Sequence, residues 1–487
     1  MNAVKRKKFT LQDQLDFAEL SYDFNPIHVD QIKARRLMYG QLVVHGINGM
    51  LWAISKWAEK KDCRILITKL DVVFLKPIIL EEEVSLVIVS ENENRVEIHL
   101  FQLGLVASRI KMAFTPRDEK DFPSYHFAEV PVMTEAVKEA KKVEVSEMSQ
   151  LRGRIKLFLE RNKAAAIYGE TFVNIFGLLQ IAELTAATRL VGMHVPGLNS
   201  LFSELYMESN SDSDFYDLEY TVEYFDSRFN LAVLSIQSPS FHGSLKTFLR
   251  PEPVSQERFV TLKTKVHEKE FAGQRALVIG GSRGLGEVTA KLLAGGGADV
   301  MITYNQGLND ARLVTEDIKS NGGRAECLFC NVLDLKQETL TGIKQYKPTH
   351  LYFFATPTIS VSTKGTFSKA KFQKFIDFYV DSFFLIVKKT TAIGVLNFFY
   401  PSSIYVEEMP VALLEYTMAK QSGEMLCDFM KKIMPEINIY KPRLHRMTTD
   451  QTVGLIASSA EDALVLLIDL RKFHNLTAGA LNGKRDL

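Results

Sequence analysis

Two sets of residues in this chain have the types and spacing for acid–base chemistry. The first is Ser403, followed thirteen residues later by Tyr416, with Lys420 four residues beyond that. On a helix, Tyr416 and Lys420 share one face about one turn apart. A phenol ionises near ~10, and a neighbouring ammonium would favour the phenolate and draw that value toward neutrality. Ser403, at the end of a strand expected over 394–400, would hydrogen-bond a carbonyl oxygen during hydride transfer. An exposed amphipathic helix has the same Tyr-x-x-x-Lys spacing. The second set is Asp23 and His28, separated by Phe24-Asn25-Pro26-Ile27 and followed by Val43-Val44-His45-Gly46. Pro26 restricts Asn25 to extended backbone, so the loop is bent and stiff. It can bring a carboxylate and an imidazole onto one water, which suits addition of water to a conjugated double bond or its removal. Gly46 opens an apolar helix, and its N–H at the helix start can polarise a thioester carbonyl.

The elements that position the first set begin at a short apolar run, residues 275–279, read as a buried strand. It enters the turn Gly280-Gly281-Ser282-Arg283-Gly284-Leu285-Gly286, and a helix is expected over 287–294. A glycine turn between strand and helix offers backbone N–H groups to a pyrophosphate. A second strand, 299–304, ends in Tyr304-Asn305 without the carboxylate that would hold a ribose 2′-hydroxyl. With Arg283 inside the turn, that favours a 2′-phosphate and hence NADP(H). The alternative for Arg283 is an ordinary surface arginine.

From these motifs, residues 270–487 resemble a short-chain dehydrogenase/reductase, nearest the β-ketoacyl carrier-protein reductase branch. The resemblance implies an α/β Rossmann-type domain with a doubly wound parallel sheet. It implies Ser403, Tyr416 and Lys420 as catalytic residues. Gly280, Ser282, Arg283, Gly284, Leu285, Gly286, Tyr304, Asn331, Val332 and Ala355 would bind the cofactor, with Asn331 and Val332 bordering the adenine. The chain departs from the family at Phe354-Ala355-Thr356-Pro357, where Asn-Asn-Ala-Gly is usual. It departs again at Tyr379-Val380-Asp381-Ser382, where the family places an Asn. The proton relay behind Lys420 would then be impaired or use another partner such as Asp381.

The second set lies in a pattern of one apolar helix, 47–58, followed by alternating strand-like runs at 65–74, 84–89, 95–100 and 105–114. The motif resembles the MaoC-like (R)-specific enoyl-thioester hydratases of the hotdog fold. The resemblance implies Asp23 and His28 as the catalytic pair, Asn25 as shaping the loop, and Gly46 as the oxyanion contact. Residues 130–252 repeat the plan, with a helix over 171–191 and strands at 201–207, 218–225, 230–236 and 244–249. No Asp-x-Asn-Pro-x-His precedes this second helix. It reads as a degenerate second hotdog that completes an α+β double hotdog and lines the acyl tunnel; an unrelated α+β segment is the alternative. His194 lacks a nearby acid and reads as a turn histidine. The expected domains are 1–125, 130–252 and 270–487, with boundaries at 115–130 and 250–272.

Composition sets outer limits. At 487 residues the chain has room for about three domains of ~150 residues. Hydrophobic and charged contents of 46% and 24% are those of a globular protein, and a net charge of +1 implies no nucleic-acid partner. Lys5-Arg6-Lys7-Lys8 reads as a solvated tail or a dock for an acidic carrier. No charge-free stretch of about 18 apolar residues occurs, so no membrane span is expected. Four cysteines suggest reduced thiols and a cytoplasmic site. Cys327 and Cys330 have metal-ligand spacing, but on a strand they face opposite sides, so no metal is expected.

Together these readings describe a bifunctional enzyme. A reductase would convert 3-oxoacyl thioesters of CoA or an acyl carrier protein to 3-hydroxyacyl thioesters with NADPH. A hydratase would interconvert the (R)-alcohol and the trans-2-enoyl thioester, in fatty-acid or polyketide-type metabolism. Two alternatives stand beside it: a dehydratase with an impaired reductase domain, and a non-catalytic module that binds acyl carriers. Both families imply a homo-oligomer.

Overall fold

The computed structural model describes residues 5–117, 125–210, 215–359, 367–450 and 463–482. The chain forms two units that meet in sequence at Glu252 and Pro253. Residues 118–124 of the first expected boundary lie outside the described residues.

In the first unit, period-two burial builds one antiparallel sheet. Its strands are β1 (Lys5–Lys8), β2 (Arg64–Phe74), β3 (Glu83–Glu91), β4 (Arg95–Gln102), β5 (Leu105–Arg117), β6 (Arg152–Ile155), β7 (Ser200–Ser209), β8 (Leu218–Asp226), β9 (Leu231–Gln237) and β10 (Phe241–Leu249). On β2, Ile65, Ile67, Leu70 and Val72 are buried, and the one-residue slip between Ile67 and Lys69 is a bulge. The order β1-β3-β4-β5-β2-β7-β10-β9-β8-β6 reads as one five-strand pattern and then its mirror. The halves join through β2 and β7, with Leu70 opposite Met207 and Val72 opposite Leu205. Each half wraps a core helix, Gly46–Ala58 in the first and Glu170–Arg189 in the second. Both helices are buried on nearly every face, packed against a sheet and a second helix. Among the described residues, Glu170–His194 is long and apolar enough to span a bilayer, but 83% of its most apolar window is buried in the unit. One hydrophobic cluster takes in both helices and both half-sheets.

The basic cluster at the N-terminus corrects the expectation of a solvated tail. Residues 5–8 are the edge strand β1, paired with β3. Lys7 reaches Asp13 at 2.8 Å, Arg6 reaches Glu83 at 3.2 Å, and Lys5 binds Glu59. Lys5, Arg6 and Lys7 thus meet acids on neighbouring elements, while Lys8 stays exposed on the edge strand.

The second unit contains a six-stranded parallel sheet: β11 (Arg275–Ile279), β12 (Asp299–Tyr304), β13 (Arg324–Phe329), β14 (His350–Phe353), β15 (Asn397–Phe399) and β17 (Asn438–Tyr440), in the order β13-β12-β11-β14-β15-β17. A short parallel pair, β16 (Ser402–Ser403) with β18 (Arg443–Leu444), lies apart from it. The continuous apolar runs serve two cores, because alternate residues face opposite sides. Ala276, Val278, Val300 and Ile302 enter one core, and Leu277, Ile279, Met301 and Leu351 enter the other. Cys327 packs against the first of these cores and Cys330 lies in the second, so the two thiols are on opposite faces.

Candidate functional sites

The site in the first unit begins with a helix stop. The Leu11–Ser21 helix starts in a capping box of Thr10 and Asp13 and ends at Tyr22, which has φ 59°. Asp23 follows directly. Asn25 then caps the short Pro26–Val29 helix, accepting from the Ile27 N–H, with Pro26 in its first turn. The Asn25 amide donates to the carbonyls of Gly192 at 2.8 Å, Gly197 at 3.0 Å and Leu198 at 3.3 Å. The loop is thereby fastened to the second half of the unit.

Asp23 is 1% exposed. One carboxylate oxygen accepts from the Thr188 hydroxyl at 2.7 Å and the other from the Asn25 N–H at 3.2 Å. Burial pushes its pKa up to about 6, against the pull of these hydrogen bonds and of Arg189. His28 Nδ1 meets the Val43 carbonyl at 2.8 Å and must donate there, which leaves Nε2 as an acceptor. Burial holds the His28 imidazole down at about 4. His45 stacks on His28 with centroids 3.9 Å apart. Its ring nitrogens meet the Asp23 carbonyl at 3.0 Å and Gln14 Oε1 at 2.9 Å. One ligand atom from each of Asp23, His28 and His45 lies within 4.8 Å of the others. Burial holds the His45 ring neutral, so only one of the two oxygens it meets can receive its single N–H. Gly46 opens its helix with no side-chain cap. A Cβ there would lie 2.9 Å from the Phe74 ring, which would have to shift to admit it.

Sequence reading did not anticipate Thr188, Arg189, Gly192 or His45. The first three belong to the half without a motif of its own, more than 160 residues from Asp23. Gly192 lies so close to the carboxylate that a Cβ would stand 2.1 Å from the Asp23 oxygen. In the helix that carries them, Thr188 and Arg189 are buried like Gln180, Glu183 and Thr185, so no local signal singles them out.

In the second unit the structure gathers Ser403, Tyr416 and Lys420, all buried, but not in the expected relation. Ser403 is not at the end of the 394–400 run; it is in β16, and its hydroxyl accepts from the Tyr405 N–H at 3.3 Å. Tyr416 and Lys420 share the Leu414–Ile433 helix. The expected depression of the phenol is absent. Burial pushes Tyr416 up to about 12, only partly offset by hydrogen bonding to Ser403, and burial brings Lys420 down to about 7. The Lys420 ammonium donates to the Pro401 carbonyl at 2.7 Å and sits 3.9 Å above the centre of the Tyr379 ring, against 5.9 Å for the Tyr416 ring. Tyr379 thus stands behind Lys420 where an Asn was missing. Asp381 is exposed and does not take that place.

The glycine turn lies at the carboxyl end of β11. Gly280 has φ 78° and Gly284 φ 58°. A Cβ on Gly286 would stand 2.3 Å from the Gly280 carbonyl, so the helix starts against the turn itself. That helix, Gly284–Gly295, starts at the turn rather than at 287, and no side chain caps it. The uncapped start fits an anionic group such as a pyrophosphate. Tyr304 ends β12, Asn331 and Val332 follow β13, and Ala355 follows β14, so all lie at the same edge of the sheet. Ser282 is buried, and Leu285 packs against one of the two cores. Arg283 corrects the surface reading: its guanidinium binds the Asp450 carboxylate at 2.6 Å and is mostly buried.

Residues 1–107 match the family model described as MaoC like domain. A 65-residue stretch is 43% identical to elsinochrome reductase 1 of Elsinoe fawcettii, covering 13% of this chain and 24% of that protein. A 74-residue stretch is 40% identical to a probable tetrahydroxynaphthalene reductase of Zymoseptoria tritici, covering 15% and 28%. The chain thus spans about a quarter of the length of these curated relatives. Among solved structures, the angucycline C-6 ketoreductase LanV with bound NADP aligns at 20% identity and a TM-score of 0.34, over 38% of this chain and 76% of that one.

Proposed function

We propose that the chain is a bifunctional acyl-thioester enzyme whose first unit is a double hotdog with one working site. That site adds water to a trans-2-enoyl thioester or removes it from the (R)-3-hydroxyacyl thioester. The observation that carries this reading is the convergence of a buried Asp23 carboxylate and the acceptor nitrogen of His28. Above pH of about 6 the carboxylate is ionised and the imidazole neutral. Asp23 then takes one proton from water as the oxygen bonds to the β-carbon, and His28 Nε2 accepts a hydrogen bond from the second water hydrogen. The negative charge that develops on the thioester oxygen is met by the Gly46 N–H at the start of its helix. Asp23 returns its proton to the α-carbon, which restores the carboxylate.

The second unit is read as a short-chain reductase of 3-oxoacyl thioesters, with NADP(H) held at the glycine turn. When bound, the nicotinamide would supply hydride. Ser403 would orient the carbonyl oxygen and Tyr416 would protonate it. The match of Ser403, Tyr416 and Lys420 to one family spacing and the uncapped helix at the glycine turn support this reading. A second reading is favoured by a specific observation: Lys420 is held by Pro401 and Tyr379, and the phenol is raised. On that reading the reductase is slow and the chain works mainly as a dehydratase.

Two assays on the purified chain test both. NADPH consumption with a 3-oxoacyl thioester should be lost in Tyr416→Phe, and loss of enoyl absorbance should be lost in Asp23→Asn. If either variant matches wild type, the corresponding assignment fails.

A further inference from the structure

Around the Asp23–His28 loop one charge has no counterpart among the described residues. Arg250 follows the last residue of β10, and it is 2% exposed. Its Nη2 donates to the Leu198 carbonyl, the same oxygen that accepts from the Asn25 amide. Arg250 is therefore attached to the loop that holds the reacting groups. Its Nε and Nη1 are buried and have no hydrogen-bond partner. The titratable groups that feel its charge are His28 and Tyr39, and neither is an acid at neutral pH. Arg189, also buried, is different: it donates to the carbonyls of Ser21 and Lys156 and sits over the Phe158 ring, 3.9 Å from its centre.

A guanidinium presents its N–H groups as a planar fork, matched to two oxygens of one oxyanion. Burying that fork with two nitrogens idle is unfavourable unless a ligand completes it. Among the described residues nothing does so. We propose that Arg250 forms an anion subsite beside the hydration site and receives a carboxylate carried by the acyl group. The substrate would then be an unsaturated acyl thioester with a second, free carboxyl group. This proposal rests on the reading of Asp23 and His28 as the hydration site. The phosphates of a CoA or carrier thioester are the other source of an oxyanion, but the whole pantetheine arm separates them from the reacting carbons. Arg250 and Asn25 share one carbonyl, so the bound anion belongs near those carbons.

The test measures binding by calorimetry on the full chain with saturated probes, which cannot be hydrated, so its outcome is separate from that of the hydratase reading. The N-acetylcysteamine thioesters of succinate and butyrate have equal chain lengths and differ in a terminal carboxylate. Wild type should prefer the succinyl probe by about tenfold or more. In Arg250→Gln that preference should collapse to roughly one, and Arg250→Lys, which keeps a charge without the fork, should retain part of it. Thermal unfolding of Arg250→Gln should not fall below wild type, because the substitution removes a buried guanidinium with two unpaired nitrogens and loses only the bond to Leu198. Equal binding of the two probes by wild type would overturn the proposal. So would a drop in melting temperature accompanied by equal loss of both probes, which would make Arg250 structural. A third arm compares butyryl-CoA with the butyryl probe. If Arg250→Gln weakens only the CoA thioester, the anion is a carrier phosphate and the acyl carboxylate is ruled out.

Discussion

Asp23 would be easier to ionise almost anywhere else on this protein. Its folded pKa of about 6 lies above the usual 3.8 because burial outweighs the Thr188 and Asn25 hydrogen bonds. The folded state therefore holds the proton more tightly than the unfolded chain does. The stability this gives is fully present below about pH 3.8 and is lost as pH rises through 6. At about pH 8 the ionised carboxylate costs on the order of 3 kcal/mol. Asp23→Asn should accordingly melt at a higher temperature than wild type at pH 8, and the difference should vanish toward pH 4. A variant no more stable at pH 8 would show that the site solvates its carboxylate better than its burial implies. The same value sets the activity profile: enoyl hydration should rise through about pH 6 and then level off, since His28 is neutral from about 4 upward. Measuring kcat/KM for an enoyl thioester between pH 5 and 8 checks this, and a profile flat across that range would exclude Asp23 as the titrating base.

At the scale of elements, the site depends on the end of the second core helix as much as on the motif loop. After Arg189 the chain widens into a π-type turn, Leu190–His194, which presents the Gly192 carbonyl to Asn25. Gly192 also leaves room for the carboxylate. Gly192→Ala would place a methyl group 2.1 Å from an Asp23 oxygen, so either the turn or the acid must move. Hydration should fall about a hundredfold or more, while NADPH consumption with a 3-oxoacyl thioester stays at the wild-type rate. Retained hydration would mean the turn yields easily and does not fix Asp23. This dependence explains what was legible in the sequence. Asp23, His28 and Gly46 could be read because they share one short stretch and its adjoining helix. The strands could be read because period-two burial is written into runs such as Ile65–Phe74. Thr188 and Gly192 could not, because their role arises from contacts made across the two halves. Lys420 shows the same limit differently: the Tyr-x-x-x-Lys spacing fixes a shared helix, but not which carbonyl and ring the ammonium meets.

At the scale of the whole molecule, the two sets of reacting residues are divided at Glu252 and Pro253. Gln14, Asp23, Asn25, His28, His45, Gly46, Thr188, Gly192 and Arg250 all precede that point. Gly280 to Gly286, Ser403, Tyr416 and Lys420 all follow it. The 3-hydroxyacyl thioester that links the two proposed reactions is a stable molecule, so it can leave one site and enter another by diffusion. Two variants with opposite defects should then complement each other in solution. Asp23→Asn keeps the reductase residues and Tyr416→Phe keeps the hydration residues. Neither alone should turn a 3-oxoacyl thioester and NADPH into the enoyl product. An equimolar mixture should do so, with a lag while the alcohol accumulates in bulk solution. Mass spectrometry of the thioesters over time reads both the lag and the yield. If the mixture makes alcohol but no enoyl product, while Tyr416→Phe still dehydrates alcohol added from outside, the intermediate is retained by the molecule that made it, and the independence of the two sites fails.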